Sequence, residues 1–103
     1  MSVKEMNTPL PRPALEEAAR VLRVLAHPDR LRMIELLIAG RHSVGELAEA
    51  VGLAPSAVSQ HLNHMRAHGI LRVEREGRTA YYQVDNPNAV NVIDCIRKHC
   101  TDR

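Results

Sequence analysis

Apolar residues recur at three- and four-residue steps through most of the chain before residue 70, which is the spacing of one face of an amphipathic helix. This pattern predicts four consecutive helices. The predicted first residue or cap of each helix is, in order, Pro13, Asp29, Val44 and Pro55. Ser43 and Glu46 form a capping-box pair ahead of the third helix. Residues 1–12 are predicted to be a flexible tail because prolines interrupt them.

After Ile70 the apolar residues alternate with polar ones at a period of two residues, which is typical of strands. Leu71–Arg75 and Thr79–Val84 predict a β-hairpin around Glu76-Gly77-Arg78, and a fifth helix follows Asn86-Pro87. The predicted order is ααααββα, a mainly α fold with a hairpin, in one domain over residues 13–103. Expected inward positions are Leu31, Ile34, Leu37 and Ile38 on the second helix, and Val58, Leu62 and Met65 on the fourth.

Helices three and four, joined by a short turn that contains Gly52, have the order of a helix-turn-helix. That signal is weak alone, but a hairpin directly after it is typical of the winged form. The outer surface of the fourth helix carries polar side chains with both donors and acceptors, which suit base edges in the major groove. The candidate DNA contacts on this helix are Ser56, Ser59, Gln60, His61, Asn63 and His64. A merely solvated helix would more often carry Lys and Glu.

Charge placement adds candidates at the tip of the hairpin. Arg75 and Arg78 could contact phosphates or the adjacent minor groove, although Glu74 and Glu76 weaken this basic patch and a solvated turn is the alternative. Ser43 completes the set of candidate DNA-binding residues. The formal net charge of +2 is mild, so its placement matters more than its sum.

Composition narrows the class of protein further. Hydrophobic residues make up 45% of the 103 residues but aromatic residues only 2%, so the core must be aliphatic. A chain of this size buries a small share of its surface, which favours dimerisation. No apolar run is long enough to span a bilayer and no signal-peptide pattern is present, so we expect a cytoplasmic protein whose two cysteines are thiols.

Two other function classes fit the sequence less well than DNA binding. An enzyme is not expected, because the sequence contains no glycine-rich phosphate loop, nucleophile elbow or clustered carboxylate pair. The alternative is a winged-helix protein-interaction or antitoxin-like module that does not bind DNA. Such a module would expose apolar residues on its fourth helix, whereas this helix has polar residues there.

Three segments together resemble the ArsR/SmtB family of bacterial winged-helix repressors. They are LAHPDRLRMIELL, SVGELAEAVGLAPSAVSQHLNHMRAHGIL and REGRTAYYQV, and the resemblance extends over about Leu15 to Cys100. It implies a homodimer that represses transcription from a palindromic operator, with helix four in the major groove and Ser56, Ser59, Gln60 and His61 at bases or phosphates. It also implies a dimer interface of the first and fifth helices. Their apolar stripes supply Leu15, Ala18, Leu22, Val90, Ile93 and Ile96.

Members of that family sense inducers at sites with distinct positional signatures. The helix-three segment SVGELAEA lacks the cysteines of one metal site. At the helix-five metal site, Pro87, Lys98 and Thr101 stand where ligands are expected. Both of these sites are therefore predicted to be absent.

The remaining sensor candidates are Cys95, His99 and Cys100. Cys95 and His99 lie four residues apart, share a helix face and could ligate a soft or borderline metal ion. The alternative to a metal site is a thiol switch. The sequence resembles the branch of the family that senses sulfide or oxidants through a pair of cysteines, one of them in helix two, but Glu35 stands at that helix-two position. The two cysteines of this chain point about 140° apart in a regular helix, which leaves a bridge across the dimer or one modified thiol. No cofactor is assigned from the sequence. Besides a metal ion and a thiol modification, the third alternative is a regulator that responds to no inducer.

Overall fold

The computed structural model describes residues 8–101, in which five helices pack with a small three-stranded sheet. The helices are α1 (Arg12–Leu25), α2 (Pro28–Ala39), α3 (Val44–Val51), α4 (Pro55–Ala67) and α5 (Pro87–His99). The strands are β1 (His42–Ser43), β2 (Leu71–Glu76) and β3 (Thr79–Val84). The predicted winged helix-turn-helix is confirmed. Of the predicted tail, residues 1–7 lie outside the described residues, and α1 begins one residue before its predicted start.

The predicted cap of α2 is wrong by two residues. His27 is the N-cap in place of Asp29, and its Nδ1 accepts a hydrogen bond from the backbone N–H of Asp29 at 3.1 Å. Pro28 occupies the first helical position, where its missing N–H is no loss, so the cap precedes the proline. The capping box of α3 is confirmed: the N–H of Ser43 donates to Glu46 Oε1 at 2.9 Å, and the N–H of Glu46 donates to Ser43 Oγ at 3.2 Å.

The sheet contains one strand that the sequence pattern did not reveal. β1 has two residues, too few to show alternation, and it pairs antiparallel with β3 so that His42 lies opposite Tyr82. The strand order is β1-β3-β2. β2 continues to Glu76, which narrows the hairpin turn to Gly77 and Arg78. Gly77 has a φ of +60°, a left-handed conformation that glycine adopts without steric cost.

An aliphatic core connects the helices to the sheet. Its largest fully buried side chains are Val21, Leu25, Met33, Ile34, Leu47, Val58, Leu62, Met65 and Ile70. Burial of each such side chain stabilises the fold by roughly 1.5–3 kcal/mol. The inward positions predicted for α4 are confirmed by this set. Between residues 8 and 101, no helix has the length and apolar character that crossing a bilayer requires.

The buried face of α2 differs from the predicted one. Met33 and Ile34 are fully buried and Leu37 is buried, whereas Ile38, a predicted inward position, is 40% exposed. α2 packs against α5 on one side and against α3 and the sheet on others. Because several apolar residues compete for these surfaces, the periodicity of α2 alone did not determine which of them faces the core.

Candidate nucleic-acid interface

The corner between α3 and α4 is fixed by its backbone. Gly52 has a φ of +74°, and its N–H donates to the carbonyl of Ala48 at 2.9 Å, which ends α3. A residue with a side chain would be strained in this left-handed conformation. The N–H of Leu53 donates to the same carbonyl at 3.2 Å, and Pro55 then occupies the first turn of α4. The turn therefore determines where α4 begins and how it leaves α3.

α4 buries one apolar stripe and presents polar side chains on the rest of its surface. Four of the six predicted contacts on this helix are exposed, namely Ser56, Gln60, Asn63 and His64. Ser59 and His61 are partly buried. The exposed large apolar side chains among residues 8–101 are Leu10, Leu15, Leu22, Ile38 and Val90, and none of these lies on α4. The solvent-facing side of α4 therefore offers hydrogen-bonding groups of the kind that bind base edges.

His61 is held by residues of its own protomer rather than projecting freely from α4. Its Nδ1 accepts a hydrogen bond from Arg30 Nε at 3.1 Å, and its ring meets the His27 ring edge-on, with centroids 4.6 Å apart. Partial burial lowers the pKa of His61, and the nearby His27 ring and Arg30 charge lower it further. The imidazole is therefore neutral near neutral pH, and one of its nitrogens is not available to DNA.

Arg30 connects three helices behind the exposed face of α4. Besides His61, it donates from Nη1 to the backbone carbonyl of Val24 at 2.8 Å. That carbonyl lies in the last turn of α1, where carbonyl groups lack partners within the helix. Since Arg30 belongs to α2, one guanidinium joins α1, α2 and α4. Arg30 is not among the predicted site residues, and its position in the A-H-P-D-R segment was the one available signal.

His27, Asp29 and His61 are the one group of three possible metal ligands brought together within residues 8–101, with ligand atoms within 4.8 Å of one another. Their hydrogen bonds argue against a metal ion. Both Nδ1 atoms already accept N–H groups, from Asp29 and Arg30, so neither of these two nitrogen atoms has a lone pair left for a metal ion. The adjacent guanidinium also repels a cation. We therefore assign this group to the positioning of α4.

The end of α4 is attached to α1. Arg20 donates from Nη1 to the backbone carbonyl of His68, the C-cap residue directly after α4. The ring centroids of His64 and His68 lie 4.7 Å apart. Partial desolvation lowers the pKa of His64, and the charge of Arg30 and the nearby His68 ring add to this effect. His64 is therefore a neutral, exposed donor and acceptor near neutral pH.

The wing formed by β2 and β3 carries two exposed arginines at its tip, Arg75 and Arg78. Neither forms an ion pair with another residue of the described range 8–101, so both guanidiniums are available to an anionic partner. The predicted contact Ser43 lies at the start of α3, where its Oγ accepts the capping hydrogen bond. The cap uses the oxygen as an acceptor and leaves the hydroxyl proton to be donated.

The two carboxylates that weaken the predicted basic patch are paired with arginines. Arg41 donates to both carboxylate oxygens of Glu76, at 2.7 and 2.9 Å, and these hydrogen bonds lower the pKa of Glu76. Arg41 also lies over the Tyr81 ring, 4.2 Å from its centroid. The second carboxylate, that of Glu74, has its Oε1 atom 3.6 Å from Arg72 Nη2. The negative charge of the wing is therefore opposed locally, which leaves its tip positive.

α1 and α5 together present an apolar surface to solvent. Leu15 and Leu22 of α1 and Val90 of α5 are 48%, 53% and 39% exposed. A groove of about 470 Å³ runs between the two helices, and its apolar lining includes Ala14, Ala18, Val21, Leu22 and Val92. The other two predicted interface residues are less exposed in the protomer. Ile93 is 7% exposed and belongs to the core, and Ile96 lines a groove against α2, because α5 carries apolar residues on two of its faces.

The cysteine candidates do not form a ligand cluster within one protomer. Cys95 and Cys100 are free and exposed. Cys95 lines the groove between α1 and α5, whereas the N–H of Cys100 donates to the carbonyl of Ile96 at 2.8 Å at the end of α5. His99 joins no group of three possible metal ligands in the described part of the chain. The structure therefore does not bring Cys95, His99 and Cys100 together around one ion.

The α3–α4 corner, the polar surface of α4 and the positive wing tip define a DNA-binding transcriptional regulator of the winged helix-turn-helix class. The family profile described as bacterial regulatory protein, arsR family, matches residues 27–73. The HTH-type transcriptional regulator YgaV of Escherichia coli is 39% identical over 85 residues, which are 82% of this chain and 85% of that protein. The chain belongs to the ArsR family of bacterial regulatory proteins.

Two solved structures show the same fold. The crystal structure of the transcriptional repressor BigR from Xylella fastidiosa matches with a TM-score of 0.83 and 26% identity, over 100% of both chains. The solution structure of the homodimeric winged helix-turn-helix DNA-binding domain Mb0332 from Mycobacterium bovis matches with a TM-score of 0.75 and 26% identity, over 93% of this chain and 91% of that one.

Proposed function

We propose that this protein is a homodimeric transcriptional repressor that binds a palindromic operator through α4 and the wing. The observation that supports this most directly is the surface of α4, which is polar on the side that the core does not cover. The repressor BigR and the homodimeric Mb0332 domain support it by similarity of fold. Such a regulator would act in the cytoplasm, where bacterial DNA lies.

Base recognition is assigned to the exposed residues of α4. Gln60 and Asn63 each carry an amide that can donate to and accept from one adenine, and His64 offers a neutral ring. Ser56 and Ser59 are short hydroxyl side chains near the N-terminus of α4, where backbone N–H groups also favour a phosphate. His61 supports this surface from behind and contributes at most its Nε2–H.

Backbone contacts are assigned to the wing and to the start of α3. Arg75 and Arg78 would neutralise phosphates beside the major groove, which adds affinity for any sequence and makes binding depend on salt. Ser43 would donate its hydroxyl proton to a phosphate at the start of α3. These contacts set the orientation of α4 in the groove but carry little sequence information themselves.

The dimer is assigned to the apolar surface of α1 and α5. Leu15, Ala18, Leu22 and Val90 face solvent in the protomer, and pairing of two copies would remove these side chains from water. A twofold dimer would place its two α4 helices about 34–36 Å apart, one turn of duplex DNA. The alternative of a protein-interaction module gains no support from α4, which has no large exposed apolar side chain in the described chain.

The test starts with selection of an operator from random duplexes. Binding of the selected duplex is then measured by fluorescence anisotropy for the wild type and for Gln60→Ala/Asn63→Ala. Two lost base contacts should weaken binding by about 2–6 kcal/mol. The matched control is Asp94→Ala/Lys98→Ala, which removes an exposed ion pair of 3.0 Å on α5 and also leaves the net charge unchanged. Equal affinity of the two double variants would refute the assignment of α4.

A further inference from the structure

A second groove lies between α2 and α5, on a different face of α5 from the apolar surface. Its volume is about 330 Å³, at the lower end of the range for small-molecule pockets. The apolar part of its lining contains Leu31, Ile93 and Ile96. Its charged part contains Arg32, Glu35 and Arg97. The groove thus combines an apolar floor with a charged rim.

The charges at the rim do not cancel. Arg32 Nη1 donates to Glu35 Oε1, and Arg97 Nη2 lies 3.6 Å from Glu35 Oε2. Two positive charges and one negative charge leave one positive charge. Two guanidinium groups also offer more N–H donors than one carboxylate can accept. The rim therefore has capacity for a second carboxylate.

We propose that this groove binds a small amphipathic carboxylate, an organic monoanion with an apolar body. The carboxylate would accept hydrogen bonds from Arg97 and Arg32, because a guanidinium matches a carboxylate in a bidentate geometry. The apolar body would cover Leu31 and Ile96, which are partly exposed in the empty groove. A cation is repelled by the rim, and a purely inorganic anion would leave the apolar floor in water.

Glu35 is the internal competitor of this ligand. It belongs to α2 and Arg97 to α5, so their ion pair bridges the two helices, and a bound carboxylate takes donors away from that bridge. α2 also carries Arg30, which holds α4, and α5 carries part of the proposed dimer surface. Binding in the groove therefore acts on α2, which holds the DNA-binding helix α4 through Arg30, and on α5, which belongs to the proposed dimer surface. This regulatory consequence rests on the proposed function, whereas the binding site itself does not.

The site is tested without DNA, by isothermal titration calorimetry of the full chain with octanoate. Acetate supplies the charge without the apolar body, and octanol supplies the body without the charge. We expect octanoate to bind at least tenfold more tightly than either. Arg97→Gln should weaken octanoate binding about tenfold, because it removes charge-assisted hydrogen bonds. Glu35→Gln should tighten it severalfold, because it removes the competing carboxylate and keeps the side-chain shape.

The matched control is Lys98→Gln. Lys98 follows Arg97 on the same helix, pairs with Asp94 at 3.0 Å and does not line the groove, so this variant changes the net charge equally and should not alter octanoate affinity. Circular dichroism verifies that each variant is folded. The proposal is overturned if octanol binds as well as octanoate, if Lys98→Gln weakens binding as much as Arg97→Gln, or if Glu35→Gln fails to tighten it.

A second measurement separates the site from its regulatory role. Operator binding is recorded by fluorescence anisotropy with and without saturating octanoate. We expect octanoate to weaken operator binding of the wild type severalfold and to have a smaller effect at the same concentration on Arg97→Gln, whose site is then only partly occupied. Octanoate binding that leaves operator affinity unchanged would reject the regulatory role alone. A ligand-free protein that binds no selected duplex would reject the proposed function without affecting the calorimetric result.

Discussion

The junction at Arg30 predicts a large and localised contribution to stability. Arg30→Met removes the guanidinium but keeps most of the aliphatic stem. The Val24 carbonyl and His61 Nδ1 then lose the donor that they have at 2.8 and 3.1 Å, in a part-buried environment. A buried acceptor left without its partner costs about 1–3 kcal/mol, and water recovers some of that loss at each acceptor. We expect the free energy of unfolding to fall by about 2–3 kcal/mol.

The measurement is urea unfolding followed by circular dichroism, at several protein concentrations because the stability of a dimer depends on concentration. Arg72→Met is the matched control. Arg72 is exposed on β2, where it contacts Gln83 at 2.7 Å and lies 3.5 Å from Asp85 and 3.6 Å from Glu74. Interactions between solvent-exposed side chains contribute little to stability, so we expect Arg72→Met to lower the free energy of unfolding by less than about 1 kcal/mol.

The same two variants test whether the junction positions α4. Displacement of α4 should reduce binding of the selected operator more than binding of an unrelated duplex, because base contacts depend on geometry and phosphate contacts depend on charge. The ratio of the affinity for the selected operator to the affinity for an unrelated duplex should therefore be lower for Arg30→Met than for Arg72→Met. If Arg30→Met unfolds at the same urea concentration as Arg72→Met, the guanidinium is not the connection between α1, α2 and α4, and the reasoning is refuted.

Three further predictions concern other surfaces. Arg78→Ala should weaken binding to all duplexes alike and lower the salt dependence by about one phosphate contact; a loss confined to one operator would argue against a backbone role. Leu22→Glu should yield monomers in sedimentation experiments, whereas Ile38→Glu, a comparably exposed apolar position on α2, should not; equal association of the two would contradict the proposed interface. The folded-state pKa of His61 lies below its ordinary value of 6.5, so neutral His61 contributes stability above that pH and loses it as the pH falls through the folded pKa. His61→Asn keeps an acceptor for Arg30 without a titrating ring, so its stability should fall less between about pH 7 and pH 5; an unchanged slope would exclude His61 as the source.

The α3–α4 corner was predictable from the sequence because its determinants are local. The capping box of Ser43 and Glu46 lies within four residues, and the single Gly52 is what the left-handed end of α3 requires. The buried stripe of α4 was predictable because helical spacing places its large apolar residues on one face, and α4 has no second face of large apolar residues that could compete for the core. Hydrogen bonds and sterics within a few residues decided these features, so the pattern of residue types was sufficient.

The features that the sequence did not predict depend on contacts between distant segments. β1 exists because β3 pairs with it, and no alternation in two residues could indicate that. On α5, the stripe of apolar residues did not show that Ile93 enters the core while Val90 remains exposed. His61 was predicted to contact DNA because its helix position is compatible with exposure, but Arg30, 31 residues away, occupies one of its nitrogens.

Periodicity, caps and turns within short stretches of chain were sufficient to predict the order of the five helices and the two hairpin strands, the winged helix-turn-helix and the polar character of α4. The sequence pattern did not reveal which apolar face of α5 is buried, how Arg30 holds α4, or that Arg32, Glu35 and Arg97 meet at one groove. These outcomes depend on the relative placement of whole helices, and that placement results from the packing of the complete core rather than from any single segment.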